Sequence, residues 1–230
     1  MFDTDVLLPD FLSILDAVPV TLLMAVTIFL LSTLLGGLFA LIEHKRIPLL
    51  RQLVIGYKVV FKGVPMVIVI FLAYYGLPPA LHFIAGVLSV EVNAHSLPNW
   101  VIVIVALTAC VAAFQAEVVK GALNAFDSGQ ADAAHSLGYS GWQLFRRVLF
   151  PQIIVSAIPD LANAFMVIMK ALSLAFAIEV VDIFAQAQLT AALNFYYLEA
   201  FLVAVVFYMV IAWVVTRAAD KIEARLRVRT

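Results

Sequence analysis

The chain has 230 residues, 65% of them hydrophobic and 13% charged, with a mean hydropathy of +1.08. A water-soluble domain sits nearer half apolar and a quarter charged, so this excess excludes a single aqueous core and makes lipid the solvent. A net charge of −1 says little, because in a membrane protein the placement of charges outweighs their sum, and a lone cysteine, Cys110, excludes an internal disulfide.

Residues 1–17 are acidic, with Asp3, Asp5 and Asp10 and no Lys or Arg, unlike the basic start of a cleavable signal. The first apolar run, Val18 to Ile42, is long enough to span a bilayer with some tilt. Gly36-Gly37 within it permits close helix approach, and His44-Lys45-Arg46 with Arg51 form a basic turn after it. The next stretch has two readings. A second span covers roughly 54–78 and is broken near Gly63-Pro65, or residues 47–62 form an amphipathic surface helix and the span starts at Val64; Gly76, Pro78 and Pro79 close the run in either case. Residues 80–98, with His82, Glu91, Asn93 and His95, have room for a short interfacial helix.

A third span runs from Asn99 or Trp100 to about Val119, with Trp100 as an interface anchor and Cys110 as a small buried hydrophobe. Glu117 and Lys120, three apart near its end, are spaced to pair. A fourth span runs from about Ile153 to Ile178, and a fifth from Tyr196 to Val215, followed by a basic tail. All Lys and Arg outside the spans fall in the first loop, the polar loop after the third span, and the tail; segments 1–17, 80–98 and 179–195 have none. The positive-inside rule then predicts an all-α membrane protein of five spans, N-terminus outside, with the polar loop cytoplasmic.

That loop reads as two short helices at an angle. Ala131 to Leu137 are good helix formers, Gly138 serves as a stop, and Ser140 can cap a second helix whose Trp142, Leu144, Phe145, Val148 and Leu149 offer an apolar surface. Pro151 fits the entry to the fourth span. Ala133, Ala134 and Gly138 keep one surface flat enough for another protein's backbone to approach.

Asp132-Ala133-Ala134, three residues, Gly138, nine residues, then Val148-Leu149-Phe150-Pro151 resembles the signature E-A-A, G, I-x-L-P of permease subunits in bacterial ABC importers. Asp replaces Glu, Val replaces Ile and Phe replaces Leu, each keeping charge or apolar character. The stretches Phe61-Lys62-Gly63-Val64-Pro65, Tyr74 to Pro78, Glu117 to Gly121 and Lys170 to Leu174 are similar to the polar amino-acid branch, which has R-G-T-P where Lys62 to Pro65 stand here. The resemblance covers about 18–216 as the transmembrane domain, between a periplasmic segment 1–17 and a cytoplasmic tail 217–230.

What the resemblance implies is an amino-acid importer subunit in the bacterial cytoplasmic (inner) membrane. Its 127–151 loop, with Asp132, Ala133, Ala134, Gly138, Arg146 and Pro151, docks a cytoplasmic ATPase. The expected partners are two ATPase subunits carrying ATP and Mg²⁺, a second permease, identical or related, and an extracytoplasmic amino-acid-binding protein. The chain has no GxxxxGK[ST] loop of its own, so no cofactor is expected on it and it is not expected to be an enzyme.

Lys170 falls midway along the fourth span, where a charge costs about 2.5–3.5 kcal/mol and normally faces a wet cavity or a partner. It reads as a pathway cation near a substrate carboxylate or as a structural ion pair. Asn163 and Ser173, seven before and three after it, share its helix face. Lys62, at the Gly63/Pro65 break, lines the pathway or snorkels to headgroups. The histidines lack metal spacing, and the basic tail suits anionic lipid without calling for nucleic acid. A secondary transporter or channel would want its own coupling acid or internal repeat, and a membrane enzyme would want paired catalytic groups at depth; the sequence offers neither.

Overall fold

A computed structural model describes residues 3–89, 97–124 and 128–227. Every regular element among them is helical, as expected where lipid offers the backbone no hydrogen-bond partner. In chain order these are α1 (Leu7–Leu15), α2 (Val18–His44), α3 (Pro48–Gly63), α4 (Met66–Val87), α5 (Asn99–Asn124), α6 (Ser128–Ser136), α7 (Gly141–Leu144), α8 (Phe150–Leu172), α9 (Ile183–Asn194) and α10 (Tyr197–Arg227). Five segments are long and apolar enough to cross a membrane: α2, α4, α5, the run from Gly141 to Ile178, and α10.

α5 is the central pillar. Ile102, Val103, Ala106, Leu107, Cys110, Val111 and Ala113 are all buried, and α2, α3, α4 and α8 pack around it. α2 presents one stripe inward, Thr21, Met24, Ala25, Ile28, Ser32, Gly36 and Ala40, at the three-to-four spacing of a single helix face. Gly36 marks the closest approach. A Cβ there would stand 2.9 Å from the Ala116 nitrogen and 3.0 Å from the Ala112 oxygen, whereas one on Gly37 would meet nothing within 4 Å. Of the two small residues that favour close approach, only Gly36 is used.

Of the two readings of the second span, the structure takes the separate helix followed by a span from about Val64; the span does not begin near residue 54, and the break expected near Gly63-Pro65 is present. Val64 is extended (φ −95°, ψ 132°) and ends α3, as the residue before a proline prefers. The span that follows does not close at Pro78-Pro79. α4 passes through both prolines to Val87; the missing N–H donors free only the Tyr74 and Tyr75 carbonyls, and the rest of the ladder is worth keeping in lipid. Glu91, Asn93 and His95 lie outside the described residues.

α3 is fastened to the pillar by polar contacts. The Tyr57 hydroxyl donates to the Ala109 carbonyl at 2.6 Å. The Lys58 ammonium, with its side chain only 8% exposed, pairs with Glu43 on α2 and with Glu117 on α5 at 2.8 Å. Lys120 closes the group onto Glu43 at 2.5 Å. Glu117 and Lys120 thus take partners on other helices and do not form the expected pair with each other. Burial disfavours the Lys58 ammonium, yet the two carboxylates hold its pKa above the ordinary lysine value.

At the other end of the bundle, α8 tightens into a 3₁₀ turn, Ser173–Ile178, which ends at Glu179 in the left-handed region (φ 61°). Segment 179–195, expected only to lack basic residues, contains α9. The Asp182 carboxylate caps α9 by accepting from the Ala185 N–H at 2.9 Å, and the Tyr208 hydroxyl donates to it at 3.2 Å. α1 packs on α9 and α10 through the Phe11–Phe207 stack and the Ser13–Thr190 hydroxyl pair. α10 continues past the fifth span, so the basic residues from Arg217 to Arg227 extend its helix.

Gly36→Ala is expected to destabilise the protein by about 1–3 kcal/mol, because backbone must move to admit the methyl, while Gly37→Ala is neutral; detergent-solubilised melting curves of the two variants check this. Lys58→Met is expected to cost about 3 kcal/mol by leaving the Glu43 carboxylate buried with Lys120 alone, and Glu43→Gln in the same chain to recover a measurable part. A double-mutant cycle with no coupling between the two positions would contradict the pairing.

Candidate functional site

The polar segment between α5 and α8 is held by two local devices. α6 ends in paired backbone bonds: the Tyr139 N–H donates to the Ala134 carbonyl at 3.0 Å and the Gly138 N–H to the His135 carbonyl at 2.9 Å. This terminus needs a left-handed residue, and Gly138 supplies it at φ 81°. Two residues on, Ser140 and Gln143 form a reciprocal capping box. The Gln143 N–H donates to the Ser140 hydroxyl at 3.3 Å, and the Ser140 N–H donates to the Gln143 side-chain oxygen at 2.8 Å. Between them these bonds set the angle at which α7 leaves α6. Gln152 donates to Gln130 at 2.9 Å and ties the start of α8 back to α6.

The second expected helix is not short. α7 passes through a widened π turn, Phe145–Leu149, directly into α8, so the loop forms a knob at the N-terminal end of the fourth spanning segment itself. The widening has a local cause. Pro151 offers no N–H, and its ring crowds the carbonyl four residues back, a conflict the wider turn relieves. Pro151 is the second residue of α8, at the helix entry the sequence predicts, and the π turn joins that entry to α7 without a break.

Ala133, Gly138 and Arg146 are exposed, but Ala134 is buried, as is Leu144. Ala134 thus belongs to the packing of the knob and not to a flat outer surface. Asp132 belongs to α6 by its backbone; its side chain lies outside the described residues. Large apolar side chains stand on the outer surface among the exposed Gln143, Arg146 and Arg147: Leu137 is 78% exposed and Trp142 66%. Trp142 stacks on Phe145 at 5.9 Å, Phe145 lies 5.8 Å from Phe150, and Arg147 stands over the Tyr139 ring.

Asn163 and Lys170 are exposed on one face of α8, directed away from the chain's own core. Ser173 begins the 3₁₀ turn, and its hydroxyl donates to the Lys170 carbonyl at 2.7 Å, a local bond that occupies its one proton. Lys62 stands apart. It ends α3 with its ammonium 5.7 Å from the centre of the Phe114 ring, beside Lys58 and Glu117; among the described residues no hydrogen bond or ion pair joins it to Lys170. Next to the Val64–Pro65 break, Val60, Phe61, Val64, Leu72, Gly76 and Val105 line an apolar cavity of about 320 Å³. The Glu43–Lys58–Glu117–Lys120 group was not legible as a unit. Its signals were the Glu117/Lys120 spacing, which pointed to the wrong pairing, and a glutamate beside a basic turn, far in sequence from its partners.

Three comparisons bear on this arrangement. Residues 32–228 match the model of the family described as binding-protein-dependent transport system inner membrane component. A probable amino-acid permease protein of Bacillus subtilis, YxeN, is 34% identical over 223 residues, covering 96% of this chain and 94% of that one. A probable amino-acid ABC transporter permease protein of Vibrio harveyi, PatM, is also 34% identical, over 94% of this chain and 96% of its own length. In structure, the chain superposes on an amino acid ABC transporter crystallised with histidines at a TM-score of 0.81, with 24% identity over 98% of this chain and 99% of that one, which shows a shared fold. The chain belongs to the family of binding-protein-dependent transport system inner membrane components, as a multi-pass permease subunit of an ATP-driven importer in which a partner, not this chain, hydrolyses ATP.

Proposed function

We propose that this permease imports amino acids, and that the segment from Ser128 to Pro151 is the knob on which its ATPase pulls. The observation that carries this reading is the build of the knob. A backbone-paired helix end and a capping box hold Leu137 and Trp142 outward on a segment continuous with α8. Exposed aromatic and aliphatic side chains on a rigid polar loop are what a protein partner buries. A displacement of the knob is transmitted along α8, because no flexible joint separates them. The amino-acid assignment is supported by the substrates named for the relatives.

In the assembly we infer, two ATPase subunits with ATP and Mg²⁺ sit under two permeases, identical or related, and an external amino-acid-binding protein delivers substrate. Segment 1–17 is periplasmic, 18–216 forms the transmembrane domain, and the basic residues from Arg217 are cytoplasmic. Asp132, Ala133, Gly138 and Arg146 belong to the docking surface, with Ala134 and Pro151 supporting it from within. Lys170 and Asn163 face the pathway shared with the second permease, where the ammonium attracts the substrate carboxylate. Ser173 steadies that end of α8, and Lys62 lines the inner approach.

Gly138→Leu is expected to leave membrane insertion intact and to lower ATP-driven uptake about tenfold or more, since a side chain at positive φ is strained and projects from the knob. Gly138→Asn, which tolerates that conformation, retains most activity. Uptake by the Leu variant at the wild-type rate in proteoliposomes of the whole importer would remove the docking role. Lys170→Ala is expected to raise the KM for uptake about tenfold, and Lys170→Arg to restore it in part. Uptake kinetics across cationic, anionic, amide and sulfur amino acids read both the substrate class and this effect; unchanged kinetics would return Lys170 to a structural role.

A further inference from the structure

The turn between α2 and α3 holds a polar cavity of about 340 Å³ that transport does not use, lined by Glu43, His44, Arg46, Arg51, Lys120 and Asn124. Its one carboxylate is already engaged: Glu43 takes Lys58 and Lys120. Arg46 and Arg51 therefore bring positive charge with no carboxylate paired to either among the described residues. Arg46 is held in the left-handed region at φ 53°, a conformation that a non-glycine residue keeps only when its surroundings demand it.

The surface beside the cavity is the opposite in kind. Ile47, Leu49, Leu50 and Leu53 are exposed, Leu49 at 73% and Leu53 at 62%. A basic hollow at the end of a spanning helix, bordered by an exposed aliphatic strip, matches an amphiphile with an anionic head and hydrocarbon tails. A free anion would have no use for the strip. We propose that this cavity binds the phosphate headgroup of an anionic membrane lipid, clamped by the Arg46 and Arg51 guanidiniums, with its acyl chains along the strip from Ile47 to Leu53.

The test is native mass spectrometry of the intact importer in detergent, with added phosphatidylglycerol or phosphatidylcholine. Wild type is expected to retain phosphatidylglycerol preferentially, and Arg46→Gln/Arg51→Gln to lose that retention about tenfold, while the control Arg147→Gln does not. Equal retention by wild type and the double variant overturns the site. Displacement of the lipid by excess inorganic phosphate overturns the lipid assignment in favour of a free-phosphate site. If the double variant does not assemble, Arg51→Gln alone decides. A rise in Tm with phosphatidylglycerol that is the same in that variant as in wild type overturns the proposal, and a diminished rise supports it.

Discussion

The backbone contact between α2 and α5 at Gly36 is the constraint on which the bundle rests. No aqueous hydrophobic effect drives helices together inside lipid, so close packing and polar contacts must do it. With no side chain at Gly36, the Ala112 and Ala116 backbone comes within van der Waals reach. That contact sets the pillar, and α4 and α8 are placed by packing against the same helix.

Once α2 and α5 are fixed, their C-terminal ends hold Glu43, Glu117 and Lys120 at the right separation to trap Lys58. A buried ion group of this kind adds modest net stability, because desolvation consumes most of the Coulomb gain. Its consequence is positional. It holds α3 in one orientation across α5, together with the Tyr57 hydroxyl, and so determines where the chain turns at Val64 and re-enters as α4. The same engagement of Glu43 leaves Arg46 and Arg51 with no paired carboxylate among the described residues at the neighbouring turn.

The knob follows a different logic, since it is set by local bonds and not by the bundle. Gly138 and the Ser140/Gln143 box define its bend within a few residues. The π turn before Pro151 makes it one piece with α8. The permease therefore combines a bundle placed by long-range packing with a knob shaped by short-range hydrogen bonds.

How much of this could be read from the residues alone follows from range. Length and apolarity predicted five spans, and Gly138 and Ser140 predicted the helix stop and cap, because those interactions close within one or two turns. The family came from the spacing of Asp132 to Pro151, and the match over residues 32–228 agrees with it. The rest was decided in three dimensions. Sequence distance hid the Glu43–Lys58 pair and made Glu117 and Lys120 look like mutual partners. Pro78 and Pro79 looked like a terminus because local propensity counts lost hydrogen bonds, not the greater cost of exposing backbone to lipid. Ala134 turned inward and the fourth span absorbed α7 for a similar reason: which face of a short helix is covered depends on what the rest of the chain packs against it.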